Sequence, residues 1–175
     1  MVRSNLPSIY SNSTTTFKTL MTPTKPSTAG KRTDRRNQLG STLHHSLTSR
    51  EVGAVSALGL AHMGDAVYEI LVRSMLVLDG HTTSGHLHKD TTAYVCAPAQ
   101  AAAADLLLPH LCEEESGYYR RGRNAAVHNI PKNATHSQYS KATGLEALFG
   151  ALYLLGRTQR IRELFTIIME EQHAT

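Results

Sequence analysis

Cysteine is scarce in this sequence. Cys96 and Cys112 are the only two in 175 residues, sixteen positions apart and with no CxxC pairing. That spacing supports neither a disulfide framework nor a thiolate zinc site, and a reducing compartment follows as the default expectation. Long apolar runs are also missing. None approaches the roughly 18 residues that a membrane span needs, and no apolar stretch follows the first basic residue as it does in a secretory signal. Strand-type alternation of apolar and polar residues is absent too. Histidine, by contrast, is plentiful at ten. His44-His45 and His86-x-His88 nonetheless lack flanking ligands at zinc-site spacing, so they are read as surface or polar-network residues.

Charge is unevenly spread. The chain carries 18 lysines and arginines against 14 acids. Residues 1–50 hold eight of those bases and a single acid, Asp34, a net +7, whereas the rest of the chain is net −3. This first stretch is rich in Ser and Thr, contains Pro7, Pro23 and Pro26, and shows no sustained apolar period. It cannot bury enough apolar surface to offset the entropy of ordering, so residues 1–49 are expected to form a disordered basic tail. Its composition suits a solvated tail or an arm for a polyanion. It suits an organelle transit peptide and an extended gene start equally well. Cytoplasm is the expected location, with a plastid as the alternative if the tail is a transit peptide.

Residues 50–175 read as one all-α domain of about seven helices. Thr48 or Ser49 is a capping residue for a first helix with Glu51 in its opening turn. A longer helix is expected over 60–78, with Met63, Val67, Ile70, Leu71, Ser74 and Leu78 on one face. Further helices are expected over about 84–96, 99–111 (opened by Pro98), 113–126, 138–155 and 159–171. About 125 residues of this kind bury roughly two-thirds of their unfolded surface.

Two acids stand where acids are expensive. Asp65 lies in the run Leu60-Ala61-His62-Met63-Gly64-Asp65-Ala66-Val67, and Glu146 is flanked by Leu145, Ala147 and Leu148. A buried carboxylate needs a cation, a hydrogen-bond network or water. Hard oxygen donors without Cys or His favour Mg²⁺ or Mn²⁺ over zinc. Gly64, Ala142, Gly144, Ala147, Gly150 and Ala151 give both helices narrow sections, and close approach there would bring the two acids onto one metal ion. The competing reading pairs each acid with a nearby base or with solvent. For Glu69 an ion pair with Arg73, one turn on, is the favoured reading. Arg120-Arg121-Gly122-Arg123-Asn124, with Lys132 beyond, is the dense basic cluster of the helical part. It suits phosphate oxygens, and it suits the negative end of a helix dipole equally well.

The motifs taken together carry a resemblance. Leu60 to Glu69 resembles the ribonuclease III signature in its Mini-III form. Leu87-His88, Tyr94 to Ala101, Arg121 to Ala125 and Ala142 to Gly150 follow in the order of that branch, over about residues 51–172. The resemblance implies an all-α, Mg²⁺-dependent endoribonuclease, Mn²⁺ also serving, that acts as a homodimer on double-stranded RNA. It implies 5′-phosphate and 3′-hydroxyl products, and as substrate the precursor of large-subunit (23S) ribosomal RNA. Asp65 and Glu146 take the places of the catalytic, metal-binding acids. Arg121, Arg123, Asn124 and Lys132 are the candidate RNA contacts. Two family acids are replaced, by Ala61 and by Thr143, which lowers the carboxylate count; the first replacement resembles the Mini-III pattern. The double-stranded-RNA-binding domain of full-length relatives is expected to be absent. The other function the residues allow is a non-catalytic RNA-binding or ribosome-associated protein on the same fold.

Overall fold

The computed structural model describes residues 46–80, 83–126 and 133–173, all within one unit of the chain, Arg36–Thr175. The expected tail up to residue 45, and Lys132, lie outside the described residues. Seven α-helices occur among those described: α1 Ser49–Ala54, α2 Ala57–Leu78, α3 Ser84–Val95, α4 Ala97–Leu107, α5 Glu113–Arg123, α6 His136–Leu154 and α7 Thr158–His173. No strand is found among these residues. The all-α reading therefore holds.

Local chemistry sets the boundaries. Thr48 caps α1 in a reciprocal box with Glu51, and Leu47 N–H donates to Leu154 O at 2.7 Å, so the body begins slightly before residue 50. α4 was expected to reach residue 111 but stops at Leu107, followed by a short 3₁₀ turn, Leu108–His110. Pro109 explains the early stop, because its ring clashes with the preceding helical turn and it offers no N–H. α6 starts two residues before the expected position, capped by Thr135 with Gln138 completing the box. It ends at Gly156, whose φ of +71° lets Gly156 N–H reach Tyr153 O and Arg157 N–H reach Leu152 O.

α6 is the central helix and packs against α2, α4, α5 and α7. Ten of its residues, from Ala142 to Leu152, are buried. The core joins Tyr68, Val72 and Leu76 of α2 to Leu145, Leu148, Phe149 and Leu152 of α6 and to Leu164 and Ile168 of α7. Tyr68 meets Phe149 edge-on at 5.4 Å and Phe165 at 5.9 Å. The buried Glu115 carboxylate accepts from Arg160 Nε at 2.8 Å and Nη2 at 3.1 Å, and the same guanidinium donates to His110 O. This two-pronged bridge fastens α7 to the start of α5.

The inward face of α2 differs from the expected one. Its buried residues are Leu60, Ala61, Gly64, Val67, Tyr68, Val72 and Leu76, while Ile70 and Leu78 are exposed. Small residues face inward because α2 and α6 cross almost backbone to backbone. A Cβ on Gly64 would stand 1.6 Å from Glu146 O, and one on Gly150 would stand 2.0 Å from Leu60 O. The same closeness recurs where α5 meets α6: a Cβ on Gly122 would fall 2.5 Å from both Thr143 O and the Ala147 methyl.

Candidate active site

Asp65 follows Gly64 directly on α2, and Glu146 is the α6 residue whose carbonyl Gly64 abuts. The tight crossing therefore carries both acids to one place. They line a single pocket of about 270 Å³ with Leu58, Ala61, His62, Tyr139 and Thr143. Tyr139 and Thr143 precede Glu146 by two helical turns and by one, so the three share one face of α6. The juxtaposition anticipated from the small residues is present.

The electrostatics of the two acids differ. Burial, and then the negative charge of Asp65, push the Glu146 carboxyl up to about 7. Gln100 of α4 pulls the other way, toward ionisation. It approaches Glu146 from the core side, although its Nε2 makes no hydrogen bond of ordinary geometry. Asp65 also titrates above its usual range, through burial and the neighbouring Glu69 charge, with His62 opposing. Asp65 is nevertheless solvent-exposed, which corrects the expectation that both acids are enclosed. It stands about 100° around the helix from Gly64, at the rim of the contact rather than within it.

The donor set fits a hard cation. A buried carboxyl whose proton affinity is raised by the charge of a second acid is relieved by positive charge between the two. No cluster of three or more His, Cys, Asp or Glu is found among the described residues. A two-carboxylate site leaves coordination positions to water and phosphate oxygens, the arrangement Mg²⁺ accepts readily. Glu69 does not join it: Arg73 Nε donates to Glu69 Oε1 at 3.0 Å, as the i to i+4 spacing anticipated.

The arginine cluster divides into separate roles. Arg120 pairs with Glu113 at 2.6 Å. Arg121 is half-buried and donates through Nη2 to Val55 O at 2.6 Å and Gly53 O at 3.3 Å, tying α5 to the α1–α2 connection. Arg123 is exposed and has no ion pair among the described residues. It lines a polar hollow of about 310 Å³ with Asn124, His136, Ser137 and Ser140. A larger hollow, about 620 Å³, lies along α5 between Glu114 and Asn124. It contains neither Asp65 nor Glu146, so its greater size does not make it the centre of the chemistry. His62, Gln100 and Tyr139 were not singled out from sequence. Tyr139 was recoverable from its spacing to Glu146, and Gln100 from being the amide in an alanine run.

Comparison with known proteins adds the family. The description "Ribonuclease III domain" matches residues 58–157. The Mini-ribonuclease 3 of Symbiobacterium thermophilum is 46% identical over 107 residues, 61% of this chain and 82% of the relative. That of Enterococcus faecalis is 44% identical over 117 residues, 66% of this chain and 89% of the relative. The crystal structure of a Fusobacterium nucleatum protein superposes with a TM-score of 0.62 at 31% identity, covering 67% of this chain and 95% of that one. The chain therefore belongs to the ribonuclease III family of endoribonucleases, in its Mini-ribonuclease 3 branch. The family acts on double-stranded RNA and generally uses a divalent metal ion.

Proposed function

We propose that this endoribonuclease hydrolyses phosphodiesters in duplex RNA with Mg²⁺ held by Asp65 and Glu146, leaving 5′-phosphate and 3′-hydroxyl ends. The observation that carries the reading is the convergence of these two acids, from different helices, on one pocket. A divalent ion held by Asp65 and Glu146 would supply activation of a water and charge neutralisation at the phosphate. The chain's own groups do the rest. Asp65 presents an exposed carboxylate at the rim, and Glu146 supplies a second from the wall. His62, beside Asp65, favours its ionised form. Arg123 and Asn124, at the C-terminal end of α5, suit phosphate contacts that orient a duplex by shape. Lys132 remains a candidate from sequence. Arg121 contributes first to the fold, through the carbonyls it holds.

The natural substrate proposed is precursor large-subunit (23S) ribosomal RNA, by likeness to the Mini-ribonuclease 3 branch. The proposed location is the cytoplasm, with a plastid as the alternative. A homodimer is supported by apolar surface on α2: Leu58 is 50% exposed, Ile70 62% and Val77 60%. Ile70 and Val77 are two helical turns apart and share a face, the pattern that a partner helix covers.

The test is cleavage of a duplex RNA with and without Mg²⁺, for the parent chain and Asp65→Asn. The expected result is Mg²⁺-dependent cutting that Asp65→Asn abolishes while melting temperature and RNA binding persist. Asp65→Asn activity within a few-fold of the parent's would overturn the mechanism.

A further inference from the structure

α4 is the alanine-rich helix of the fold. Its buried face consists of Ala101, Ala103, Ala104 and Leu107 together with one amide, Gln100. At 1% exposure, Gln100 is among the largest fully enclosed side chains in the molecule. Packing alone selects leucine or methionine at such a position, since an enclosed amide without a partner lowers stability. The Gln100 Nε2 is indeed without a partner. Its neighbour is the carboxyl of Glu146, which lines the pocket and, among the described residues, has no lysine or arginine lining that pocket with it.

An enclosed donor without an acceptor thus lies behind an acid short of donors. A carboxylate has two oxygens and about four acceptor positions. An oxygen turned to a cation uses only part of that capacity, and the other oxygen still needs a donor in a site of low polarity. Groups that hydrogen-bond a ligand from behind fix its orientation and strengthen its hold on the metal.

We propose that Gln100 is a positioning residue whose Nε2–H donates to the inner oxygen of Glu146, holding the outer one toward the pocket. Gln100 touches neither RNA nor ion; it acts through Glu146. The inference rests on the reading of Asp65 and Glu146 as ligands of the divalent ion.

The experiment measures Mn²⁺ binding to the full chain by electron paramagnetic resonance of the free ion, without RNA or turnover, alongside thermal melting. The variants are Gln100→Met, which keeps length and loses the donor, Gln100→Asn, which draws the amide back by one methylene, and Asp65→Asn. Gln100→Met is expected to bind Mn²⁺ on the order of 10-fold more weakly, with an equal or higher melting temperature. Its cleavage deficit should recover at high Mg²⁺, and Gln100→Asn should fall between it and the parent. Unchanged Mn²⁺ affinity in Gln100→Met, with affinity lost in Asp65→Asn, overturns the role of Gln100 and leaves the ligand reading standing. Parent-like Mn²⁺ binding by Asp65→Asn overturns the ligand reading and this inference together. Should Gln100→Met fail to fold, Gln100→Asn decides: weakened affinity supports the proposal and parent-like affinity overturns it.

Discussion

In EDTA at pH 8, the variant Glu146→Gln should melt well above the parent chain, and with Mg²⁺ restored only the parent should show nuclease activity. An unfolded glutamate loses its proton near the usual value of 4.5, whereas in the folded chain the Glu146 carboxyl keeps it up to about 7. Between those values the folded state binds more protons than the unfolded one, so stability falls as pH rises through the window. The gap corresponds to about 3 kcal/mol at pH 8, taking about 1.36 kcal/mol per pKa unit. For a domain of this size that is a melting difference of about 10 °C. The amide of the Glu146→Gln variant has no proton to release and escapes the loss. The assay is a pair of thermal or urea melts from pH 5 to pH 8 in EDTA, read as the difference between the two proteins. Titrating groups remote from Glu146 are common to both and cancel. The difference should be small at pH 5, grow towards pH 7 and level off above it. Asp65→Asn in the parent background should move the inflection to lower pH, because the Asp65 charge is the second cause of the shift. Saturating Mg²⁺ should erase the parent's deficit, since a cation beside Glu146 replaces the proton. Parallel melts for parent and Glu146→Gln across pH 5–8 would refute the reasoning and place Glu146 in a better-solvated setting than its burial implies.

Further outcomes follow from the packing and from the arginine cluster. Gly64→Ala should destabilise the fold by at least the roughly 1–3 kcal/mol of ordinary overpacking, because its Cβ meets backbone rather than a movable side chain; Gly117→Ala, with open space around it, should instead raise the melting temperature slightly. Arg121→Ala should lower the melting temperature by freeing Val55 O and Gly53 O. Arg123→Ala should leave melting unchanged and reduce the salt slope of RNA affinity by about one, as loss of a single phosphate contact does.

Much of this architecture was legible from residue order. Some helix boundaries were recovered closely: α1 begins at the Thr48 cap, and α2 and α6 end at or within a residue of the expected places, just before Gly80 and Gly156. The Ser56 and Thr135 caps and the Pro109 stop were missed by two to four residues. The inward face of α2 was not recovered. Counting large apolar residues chose Ile70 and Leu78, which are exposed, whereas the contact is made by Ala61 and Gly64, whose value lies in what they lack. A small residue and a surface residue look alike in a pattern of hydrophobicity, and only the partner helix tells them apart. The paired acids were legible because each stands among small and apolar neighbours, although Asp65 is at the rim. Gln100 was not, because its importance comes from α6, about 46 positions away in sequence (Gln100 to Glu146). The arginines were legible as a cluster but not by role, since the carbonyls that hold Arg121 belong to a turn some 66 residues earlier.

The crossing of α2 and α6 has a consequence for how the molecule tolerates change. Most helix pairs are separated by interlocked side chains, so each exchange of a leucine for a methionine or valine resets their spacing a little. At Gly64 and Gly150 main chain rests on main chain, with no side chain left to swell or shrink. The distance between the α-carbons of Asp65 and Glu146 is set there by van der Waals radii, which mutation does not alter. Drift at Leu148, Leu152 or Ile168 is then absorbed on the far side of the core, and the two acids keep their registration while the rest of the interior is rewritten.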